Sequence, residues 1–595
     1  MDDVAETLHA LDLGQQARQV TRDWLAAFES ALDTKDTARI GALFHENCHW
    51  RDLLALTWEF ASARGRADVA SALAAGKAAR GMRGIHLPQG RKPPRHVRRV
   101  GRDCVEAIFA FATDVGRGAG IVRLSPDEGG VMKAWHLSTT LEELEGHPER
   151  TGDNRPTGAA YSRNFGGDNW LDMRRRAMAY EDREPTVLVI GGAQAGLAIA
   201  ARLNALGIDN LVVEKWPRIG DSWRRRYHSL ALHNSIHVNH LPYLDFPTTF
   251  PKYVPKDLLG NWFEFYADAM EINCWTDTEF VAGAWDDATK TWTAVLRRGD
   301  GTERTVRPKH LVFANGVSSY PYIPDLPGLD DFAGEVIHSE GFDTGARWAG
   351  KRALIIGTGS SANDIALDLH SFDVKTTIVQ RGSTTVVSID PSARLNEALW
   401  DEGPPLEDCD LVVASTTPAL MVEGYRMVTQ RMLELDRELI EGLIRIGFKF
   451  DIGEDETGHQ MKYFRRGGGY NLDCGSSELL IRGELGLLHY ETIERFCAQG
   501  ALLKDGTVVP ADVIVLATGY HPQQELIRRA LGEEMAERIG PVWGLGEDGE
   551  LNNMFRRTPQ ENLWFIAGAL PHVRINSKYL ALQIKATEVG ILGPR

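Results

Sequence analysis

The sequence predicts an α/β protein in which one strand–turn–helix unit occurs twice, behind an N-terminal α+β domain. The unit is a short run of buried-strand residues, a glycine-containing turn and a helix, and it begins near residues 186 and 353. A glycine turn in this position lets a dinucleotide pyrophosphate bind at the helix N-terminus. Residues 1–150 instead combine helical periodicity with later strand-forming runs, which is typical of an α+β domain.

Length and composition indicate a globular protein with several domains. A chain of 595 residues exceeds what one hydrophobic core supports, and 43% hydrophobic and 25% charged residues are ordinary values. The net charge of −16 argues against non-specific nucleic-acid binding. The chain starts without the basic and apolar regions of a secretory signal and has no long apolar run. We therefore expect a cytoplasmic protein with no membrane span.

The cysteine pattern excludes two kinds of chemistry. None of the six cysteines forms a C-x-x-C pair. That spacing is the one used by disulfide reductases and by common thiolate zinc sites. We therefore expect no dithiol reaction and no bound metal.

Residues 1–150 form the first predicted domain. Residues 15–45 have the apolar spacing of helices, and strand-forming runs follow from about residue 95. The pattern is similar to the cone-shaped fold of NTF2-like and SnoaL-like domains. In such a cone, a small pocket would be lined by His45, His49, Trp50 and Asp52. Alternatively, His49 and Trp50 pack the mouth of the cone and Asp52 is solvated. We expect a helper or interface domain rather than a second active site.

Residues 151–184 are a predicted linker. The first part lacks an apolar period and indicates a loop, and residues 170–178 favour a short helix. The three arginines at 174–176 either form a solvated face or dock the segment on an acidic surface of the core.

The first glycine turn follows the strand at 186–190. Its residues are Gly191, Gly192, Ala193, Gln194, Ala195 and Gly196. Gly191 permits the tight turn, Gly196 lets helix and strand pack closely, and Ala193 replaces the usual middle glycine. The next strand ends at Glu214, whose carboxylate would accept bonds from ribose hydroxyls and repel a 2′-phosphate. This turn therefore favours FAD or NAD over NADP.

The second glycine turn carries the opposite charge. The turn contains Gly357 and Gly359, and the small residue Ala362 follows them. Further hydrogen-bond donors are Ser360, Ser361 and Asn363. The next strand ends at Arg381, whose guanidinium would pair with a 2′-phosphate unless it is simply solvated. The contrast between Glu214 and Arg381 assigns FAD to the first turn and NADPH to the second.

Four further segments carry a family resemblance. The chain has F-x-G-x-x-x-H-x-x-x-F at 332–342, G-D-S-W at 220–223, L-P-Y-L-D-F-P at 241–247 and A-T-G-Y at 517–520. Together with the two turns, they resemble the flavin-containing monooxygenases, which are class B flavoprotein monooxygenases. The match is to the longer bacterial type with an N-terminal extension.

The resemblance implies roles for several residues. Ser222 and Trp223 would pack near the flavin, and Thr518 and Gly519 would link the two nucleotide units. The family has an asparagine upstream of its D-F-P element that contacts flavin and nicotinamide. The position falls at His233-Asn234-Ser235, and we assign the catalytic role to Asn234, with Ser235 as the alternative. His338 would fix the orientation of the two cofactors at a hinge rather than react.

The resemblance also implies the domain order and the reaction. A discontinuous FAD domain, 185–331 and 506–595, would hold an inserted NADP domain at 332–505. NADPH, with NADH as a second donor, would reduce FAD, and O2 would then give a C4a-(hydro)peroxyflavin that oxygenates small sulfides, amines or ketones. Phe342 stands where Baeyer–Villiger enzymes usually have tryptophan, which favours heteroatom oxygenation. The alternatives are a Baeyer–Villiger enzyme acting chiefly on ketones and an uncoupled NADPH oxidase. We expect a homodimer with no nucleic-acid partner.

Overall fold

The N-terminal domain is a single sheet covered by helices. The computed structural model describes residues 2–158, 161 and 163–593, with side chains from residue 13 onward. The helices are α1 (Asp2–Thr34), α2 (Thr37–Gly41) and α3 (Arg66–Arg80). The strands are β1 (Phe44–Leu53), β2 (Phe60–Arg64), β3 (Arg83–His86), β4 (Arg95–Arg99), β5 (Arg102–Ala112), β6 (Gly116–Pro126) and β7 (Met132–Leu144). The strand order is β2-β1-β7-β6-β5-β3, with β4 on β5, and only the β1–β7 pair is parallel.

The core of this domain follows from its apolar periodicity. Trp24 and Phe28 of α1 stack with ring centroids 4.9 Å apart, and both meet Phe44 of β1 edge-on. All three side chains are buried. The α+β arrangement expected for this segment is therefore present, and its relation to NTF2-like domains stays a prediction.

The linker contains the short helix that its sequence favours, α4 (Trp170–Ala179). Asn169 caps the helix, because its side-chain oxygen accepts from the backbone N–H of Asp172. The carboxylate of Asp172 in turn accepts from the backbone N–H of Asn169. Arg174 donates to the side-chain oxygen of Asn273 at 2.7 Å. The helix thus docks on the following unit through the amide of Asn273, and Trp170 Nε1 also donates to the carboxylate of Glu271 at 2.9 Å.

The first nucleotide-type unit begins after the linker. Its helices are α5 (Gln194–Ala205), α6 (Asp221–Arg224) and α7 (Lys256–Ala269). Its strands are β8 (Val187–Ile190), β9 (Asn210–Val213), β10 (Cys274–Trp275), β11 (Thr278–Asp286), β12 (Thr291–Arg298), β13 (Glu303–Val306) and β14 (His310–Phe313). The run β11-β12-β13 is a separate antiparallel sheet.

The second nucleotide-type unit follows. Its helices are α8 (Ser360–Ser371), α9 (Ala398–Asp401), α10 (Leu406–Ala414), α11 (Pro418–Leu435), α12 (Arg437–Arg445), α13 (Gly458–Arg466) and α14 (Ser476–Arg482). Its strands are β15 (Glu335–His338), β16 (Arg352–Ile356), β17 (Lys375–Gln380), β18 (Thr385–Ser388), β19 (Tyr470–Asp473), β20 (Gly486–His489), β21 (Ile493–Cys497), β22 (Gly500–Leu503), β23 (Val508–Pro510) and β24 (Val513–Leu516). The main sheet is parallel, in the order β15-β24-β16-β17-β20.

The position of β24 moves one predicted boundary. The inserted unit is predicted from the sequence to end at residue 505, but β24 lies between β15 and β16 in the second sheet. The unit therefore continues to Leu516, because a strand hydrogen-bonded on both sides belongs to that sheet.

The chain then returns to the first unit. The remaining elements are α15 (Gln523–Leu531), α16 (Glu533–Ile539), β25 (Leu563–Phe565) and α17 (Leu570–Glu588). β25 joins the edge of the first parallel sheet, whose order is β10-β9-β8-β14-β25. The first unit is therefore discontinuous, with the second inserted between β14 and β25.

The N-terminal domain packs against both nucleotide-type units. An apolar contact joins its sheet to α10 through Ile108, Ile121, Leu411 and Val412. An ion pair of 2.8 Å joins Arg51 of β1 to Glu550, beyond α16. Within the described residues, no helix is both long and apolar enough to cross a membrane.

Candidate cofactor and active site

The first glycine turn is tight because its backbone approaches neighbouring strands closely. Gly191 has φ of 111°, and a Cβ there would lie 2.8 Å from the carbonyl oxygen of Ala314 at the end of β14. A Cβ on Gly196 would overlap the carbonyl oxygen of Gly191. Only glycine satisfies both positions, so the N-terminus of α5 is left open beneath the turn.

Glu214 closes the same turn from the end of β9. Its carboxylate is buried and accepts from the backbone N–H groups of Gly192 at 2.8 Å and Trp216 at 3.0 Å. Burial raises the pKa of Glu214, although both hydrogen bonds oppose the rise. The structure thus places one acceptor group beside the first turn, where a ribose would lie.

Three buried polar atoms of the first unit lack protein partners. Among the described residues, no hydrogen bond is made by the buried Ser222 Oγ, Ser235 Oγ or Asn315 Oδ1. Asn315 directly follows Ala314, the residue that Gly191 approaches. A bound group with polar atoms would satisfy such orphaned groups, so the residues present fit a large polar cofactor.

A segment from Trp223 to Asn234 connects the two turns. Trp223 Nε1 donates to Gln194 Oε1 of α5 at 3.1 Å. Tyr227 donates a short hydrogen bond to Asp364 of α8. The imidazole Nε2 of His233 lies 3.4 Å from the same carboxylate. The segment therefore runs from the helix of the first turn to the helix of the second.

Asn234 and Ser235 lie at the end of this segment. Asn234 Nδ2 donates to Glu397 Oε1 at 3.0 Å, and the backbone N–H of Ser235 donates to the same oxygen at 3.1 Å. Ser235 and Glu397 are buried. Sequence reasoning missed Glu397, because it lies 163 residues from Asn234 and in no motif.

One further cluster lies beside this segment. Ligand-type atoms of His233, Asp364 and Cys474 lie within 4.8 Å of one another. Tyr227 also uses the Asp364 carboxylate, and burial raises the pKa of the Tyr227 hydroxyl, so it remains a donor. The side chains of this cluster therefore connect the two nucleotide-type units by hydrogen bonds.

The second glycine turn has similar geometry but more polar support. Gly357 has φ of 127°, and a Cβ there would overlap the carbonyl oxygen of Ala517. Ser360 Oγ accepts from the backbone N–H of Leu472 at 3.1 Å, which leaves its hydroxyl proton free to donate. No side-chain hydrogen bond is found for Ser361 within the described part of the chain, and Ala362 is fully buried.

Asn363 has a different role from the one expected. Both N–H groups of its side chain donate within the turn, to the carbonyl oxygens of Thr358 and Gly359, each at 3.0 Å. Its Oδ1 accepts from Ser476 at 2.9 Å. The side chain is therefore saturated and braces the turn, so the expectation that it donates to a phosphate is wrong.

Arg381 follows β17 at the mouth of the second turn. Its side chain is exposed and has no ion-pair partner among the described residues. Lys449 Nζ lies 3.4 Å from the carbonyl oxygen of Arg381 and pairs with Glu491 at 2.6 Å. Lys449 is a second basic group at this position, and the sequence does not reveal it because it comes from the loop after α12.

Hydrogen bonds explain the histidine of the F-x-G-x-x-x-H-x-x-x-F segment at 332–342. His338 Nε2 hydrogen-bonds to the carbonyl oxygen of Gly519 at 3.0 Å, and its Nδ1 accepts from the N–H of Glu340 at 3.1 Å. Burial lowers the pKa of His338, so the neutral ring donates from Nε2. Thr518 donates to the carbonyl oxygen of Tyr322 at 2.6 Å. These bonds fix the crossing between the units.

The two phenylalanines of the fingerprint are packing residues. Phe342 is 1% exposed and stacks on Trp348 with centroids 5.8 Å apart. Phe332 is buried in a separate cluster of the second unit. Neither ring is placed to contact a substrate directly.

Three of the four candidate residues of the N-terminal domain are buried, whereas His45 is half-buried and its Nε2 lies 3.0 Å from the carbonyl oxygen of Ser125. His49 and Trp50 are buried, and their packing at the mouth of a cone stays a prediction. Asp52, however, is fully buried and accepts from Thr57 Oγ1 at 2.7 Å and Thr139 Oγ1 at 2.6 Å. Burial raises its pKa to about 6. The expectation that Asp52 is solvated is wrong, because the loop after β1 folds back over it.

A relative of known activity identifies the family. The family model described as pyridine nucleotide-disulphide oxidoreductase matches residues 188–402. The indole-3-pyruvate monooxygenase YUCCA1 of Oryza sativa subsp. japonica is 30% identical over 346 residues, which span 58% of this chain and 79% of that protein. This chain belongs to the class B flavoprotein monooxygenases. Membership implies FAD and NADPH as cofactors of the monooxygenase, as expected from the sequence.

Other known proteins are similar to the monooxygenase at lower identity. The probable indole-3-pyruvate monooxygenase YUCCA1 of Arabidopsis thaliana is 26% identical over 379 residues, 63% of this chain and 81% of that protein. The solved flavin-containing monooxygenase of Stenotrophomonas maltophilia is 18% identical, with a TM-score of 0.46, over 68% of this chain and 98% of its own. A cyclohexanone monooxygenase variant of Rhodococcus sp. Phi1 is 19% identical, with a TM-score of 0.47, over 68% of this chain and 85% of its own.

Proposed function

We propose that the chain is an FAD- and NADPH-dependent monooxygenase that transfers one atom of O2 to a small sulfide, amine or ketone. The observation that carries this proposal is the charge contrast between the two turns. A buried carboxylate, Glu214, closes the first turn, and the exposed Arg381 with Lys449 flanks the second. The two turns therefore suit an unphosphorylated and a 2′-phosphorylated nucleotide, respectively.

The first turn would hold FAD. Gly191 to Gly196 leave the N-terminus of α5 open for the pyrophosphate, and Glu214 would accept from the adenosine ribose. Ser222 Oγ, Ser235 Oγ and Asn315 Oδ1 are available to polar atoms of the cofactor. When bound, FAD supplies the oxygen chemistry, and the protein supplies binding, orientation and a site shielded from water.

The second turn would hold NADPH. Gly357 and Gly359 permit close approach of the pyrophosphate to α8, and Ser360 has a free hydroxyl proton. Arg381 would pair with the 2′-phosphate through its planar fork, and Lys449, which is paired with Glu491, lies beside it. The same site would accept NADH with weaker binding.

Asn234 would act where the two cofactors meet. It lies on the segment that Trp223 ties to the first turn and that His233 places beside Asp364, near the second. Asn234 itself is exposed, whereas the adjoining Ser235, Val238 and Asn239 are buried. We assign Asn234 the role of orienting reacting groups by hydrogen bonding, and Ser235 remains the alternative.

The substrate test uses oxygen balance. The monooxygenase, with NADPH, is given one sulfide, one tertiary amine and one cyclic ketone, and also indole-3-pyruvate, because the relatives carry that name. NADPH consumed, O2 consumed, peroxide and oxygenated product are measured together, with free FAD and NADPH as the control. We expect at least one substrate to give product and to lower the peroxide yield. Stoichiometric peroxide with every substrate would support the NADPH oxidase instead.

The class of preferred substrate separates the remaining alternatives. Chief activity on the ketone would support the Baeyer–Villiger alternative, and chief activity on the sulfide or amine would support heteroatom oxygenation. Phe342 does not decide between them, because it is buried against Trp348.

We also propose that residues 1–150 brace or help assemble the enzyme. Arg51, Arg99 and the Ile108 contact connect this domain to both nucleotide-type units. Deletion of residues 1–150 should therefore reduce FAD content or change the oligomeric state. Unchanged flavin content, oligomeric state and turnover would contradict this role.

A further inference from the structure

Glu397 is a buried carboxylate with an unusual set of partners. It ends the short 3-10 helix Ala393–Glu397 of the second unit and is 3% exposed. It accepts from the side chain of Asn234 and the backbone N–H of Ser235. Among the described residues, it forms no ion pair with a lysine, arginine or histidine. A buried carboxylate without a cation is costly, so its position calls for a specific role.

The contact with Glu397 determines the orientation of the Asn234 side-chain amide. A carboxylate only accepts hydrogen bonds, so the group turned toward Glu397 must be the NH2 of Asn234. The carbonyl oxygen Oδ1 then points the other way, and no partner for it exists in the described part of the chain. On the side away from Glu397, Asn234 therefore presents its carbonyl oxygen, which is a hydrogen-bond acceptor.

Beyond the Ser235 N–H bond to Glu397, the backbone of the loop is held by two other side chains. Asn239 Nδ2 donates to the carbonyl oxygens of Asn234 and Ser235, each at 3.0 Å. Arg574 of α17 donates to the carbonyl oxygens of Val238 at 2.6 Å and His240 at 2.8 Å. Removing the Glu397 contact should thus change the orientation of one amide rather than unfold the loop.

We propose that Glu397 is a positioning residue that fixes the Asn234 amide with its oxygen facing the cleft between the two turns. The cleft then offers a hydrogen-bond acceptor to an N–H or O–H group of the bound coenzyme. This inference rests on the proposed function, because it takes the cleft beside Asn234 to be the coenzyme site. Since Glu397 belongs to the second unit and Asn234 to the first, the contact also links the acceptor to the relative position of the units.

The test exchanges donor and acceptor between the two positions. The variants are Glu397→Gln, Asn234→Asp and the double variant Asn234→Asp/Glu397→Gln, made in the full chain loaded with FAD. Asn234→Asp sets two carboxylates against each other. In the double variant, the new amide at position 397 donates its NH2 to the new carboxylate at position 234, whose other oxygen again faces the cleft. Exposed Glu441, in the same unit, supplies the matched control Glu441→Gln.

The readouts are the NADP+ dissociation constant, measured from the flavin difference absorbance, and the peroxide released per NADPH. We expect Asn234→Asp to weaken NADP+ binding about tenfold or more, because repulsion by Glu397 turns the new carboxylate away from its position and the hydrogen bond to the coenzyme is lost. The double variant should return to within about threefold of the parent, since it restores the pair. A double variant no better than Asn234→Asp, or an Asn234→Asp variant with unchanged binding and peroxide yield, overturns the proposal.

A second cycle separates positioning from general stability. In an Asn234→Ala background, Glu397→Gln should change NADP+ binding by less than about twofold, because Glu397 would act only through Asn234. An equal effect in both backgrounds would overturn the proposal. The NADP+ measurement needs no substrate, so it stays informative if the substrate panel fails. Conversely, product formation with an unaltered NADP+ constant in all variants would refute only the role of Glu397.

Discussion

Gly191→Ala should release FAD from the monooxygenase. The residue has φ of 111°, and an added Cβ would lie 2.8 Å from the carbonyl oxygen of Ala314, closer than the 3.0 Å that real Cβ atoms respect. A non-glycine residue in such a conformation costs ~1–3 kcal/mol, and the close contact adds to that. If the turn opens to relieve this strain, FAD affinity should fall roughly tenfold to a hundredfold.

Gly359→Ala is the matched control. Gly359 has φ of −77°, and its added Cβ would lie 3.5 Å from the nearest atom, the carbonyl oxygen of Tyr470. Both substitutions reduce the freedom of the unfolded chain by the same amount, so their difference isolates the strain at Gly191. The assay is FAD per chain after gel filtration, with the urea midpoint of unfolding. Equal flavin content and equal midpoints for the two variants would refute the reasoning.

Three other predictions concern charge. Arg381→Ala should lower kcat/KM for NADPH roughly tenfold to a hundredfold and leave kcat/KM for NADH unchanged, because charge-assisted bonds to the 2′-phosphate are lost. Arg445→Ala, at an exposed position, is the control. An unaltered coenzyme preference would exclude Arg381 as the residue that binds the 2′-phosphate. Arg51→Met should destabilise the N-terminal domain by ~3–5 kcal/mol in chemical unfolding, because Glu550 is left unpaired. The double variant Arg51→Met/Glu550→Gln should recover most of the lost stability. No recovery would show that the ion pair is not the cause. Burial, aided by Arg64 and Arg102, lowers the pKa of His49 from 6.5 to about 4, so the unfolded chain binds the proton first and ~3 kcal/mol of stability is lost as pH falls from 6.5 toward 4. His49→Asn should weaken this dependence of stability on pH, measured by urea unfolding across that range. An identical slope in the variant would contradict the prediction.

Local patterns revealed the fold class because each unit is encoded within a short stretch. The runs before Gly191 and Gly357 are β8 and β16, and α5 and α8 follow each turn, as their apolar periods predict. The two charges at the turns were also visible, because Glu214 and Arg381 each follow the next strand directly. The fold class and the charges at the two turns both depend on residues that are close in sequence.

What the sequence did not reveal depends on contacts between distant residues. β24 enters the second sheet between strands that precede it by more than a hundred residues, so the predicted boundary at 505 falls short. The saturation of Asn363 depends on Ser476, and the burial of Asp52 depends on the loop that follows it and on Thr139. Glu397 meets Asn234 only because the inserted unit folds against the first. Such pairings follow from tertiary packing, which residue patterns do not encode.

The most direct measurement of the central claim follows the two atoms of O2. The enzyme is supplied with NADPH, the best substrate of the panel and O2 carrying a heavy oxygen isotope, and the product is analysed by mass spectrometry. We predict that one labelled oxygen atom enters each product molecule for each NADPH oxidised, with the second atom recovered in water. Product without label, or label recovered only in hydrogen peroxide, would contradict the assignment of the chain as a monooxygenase.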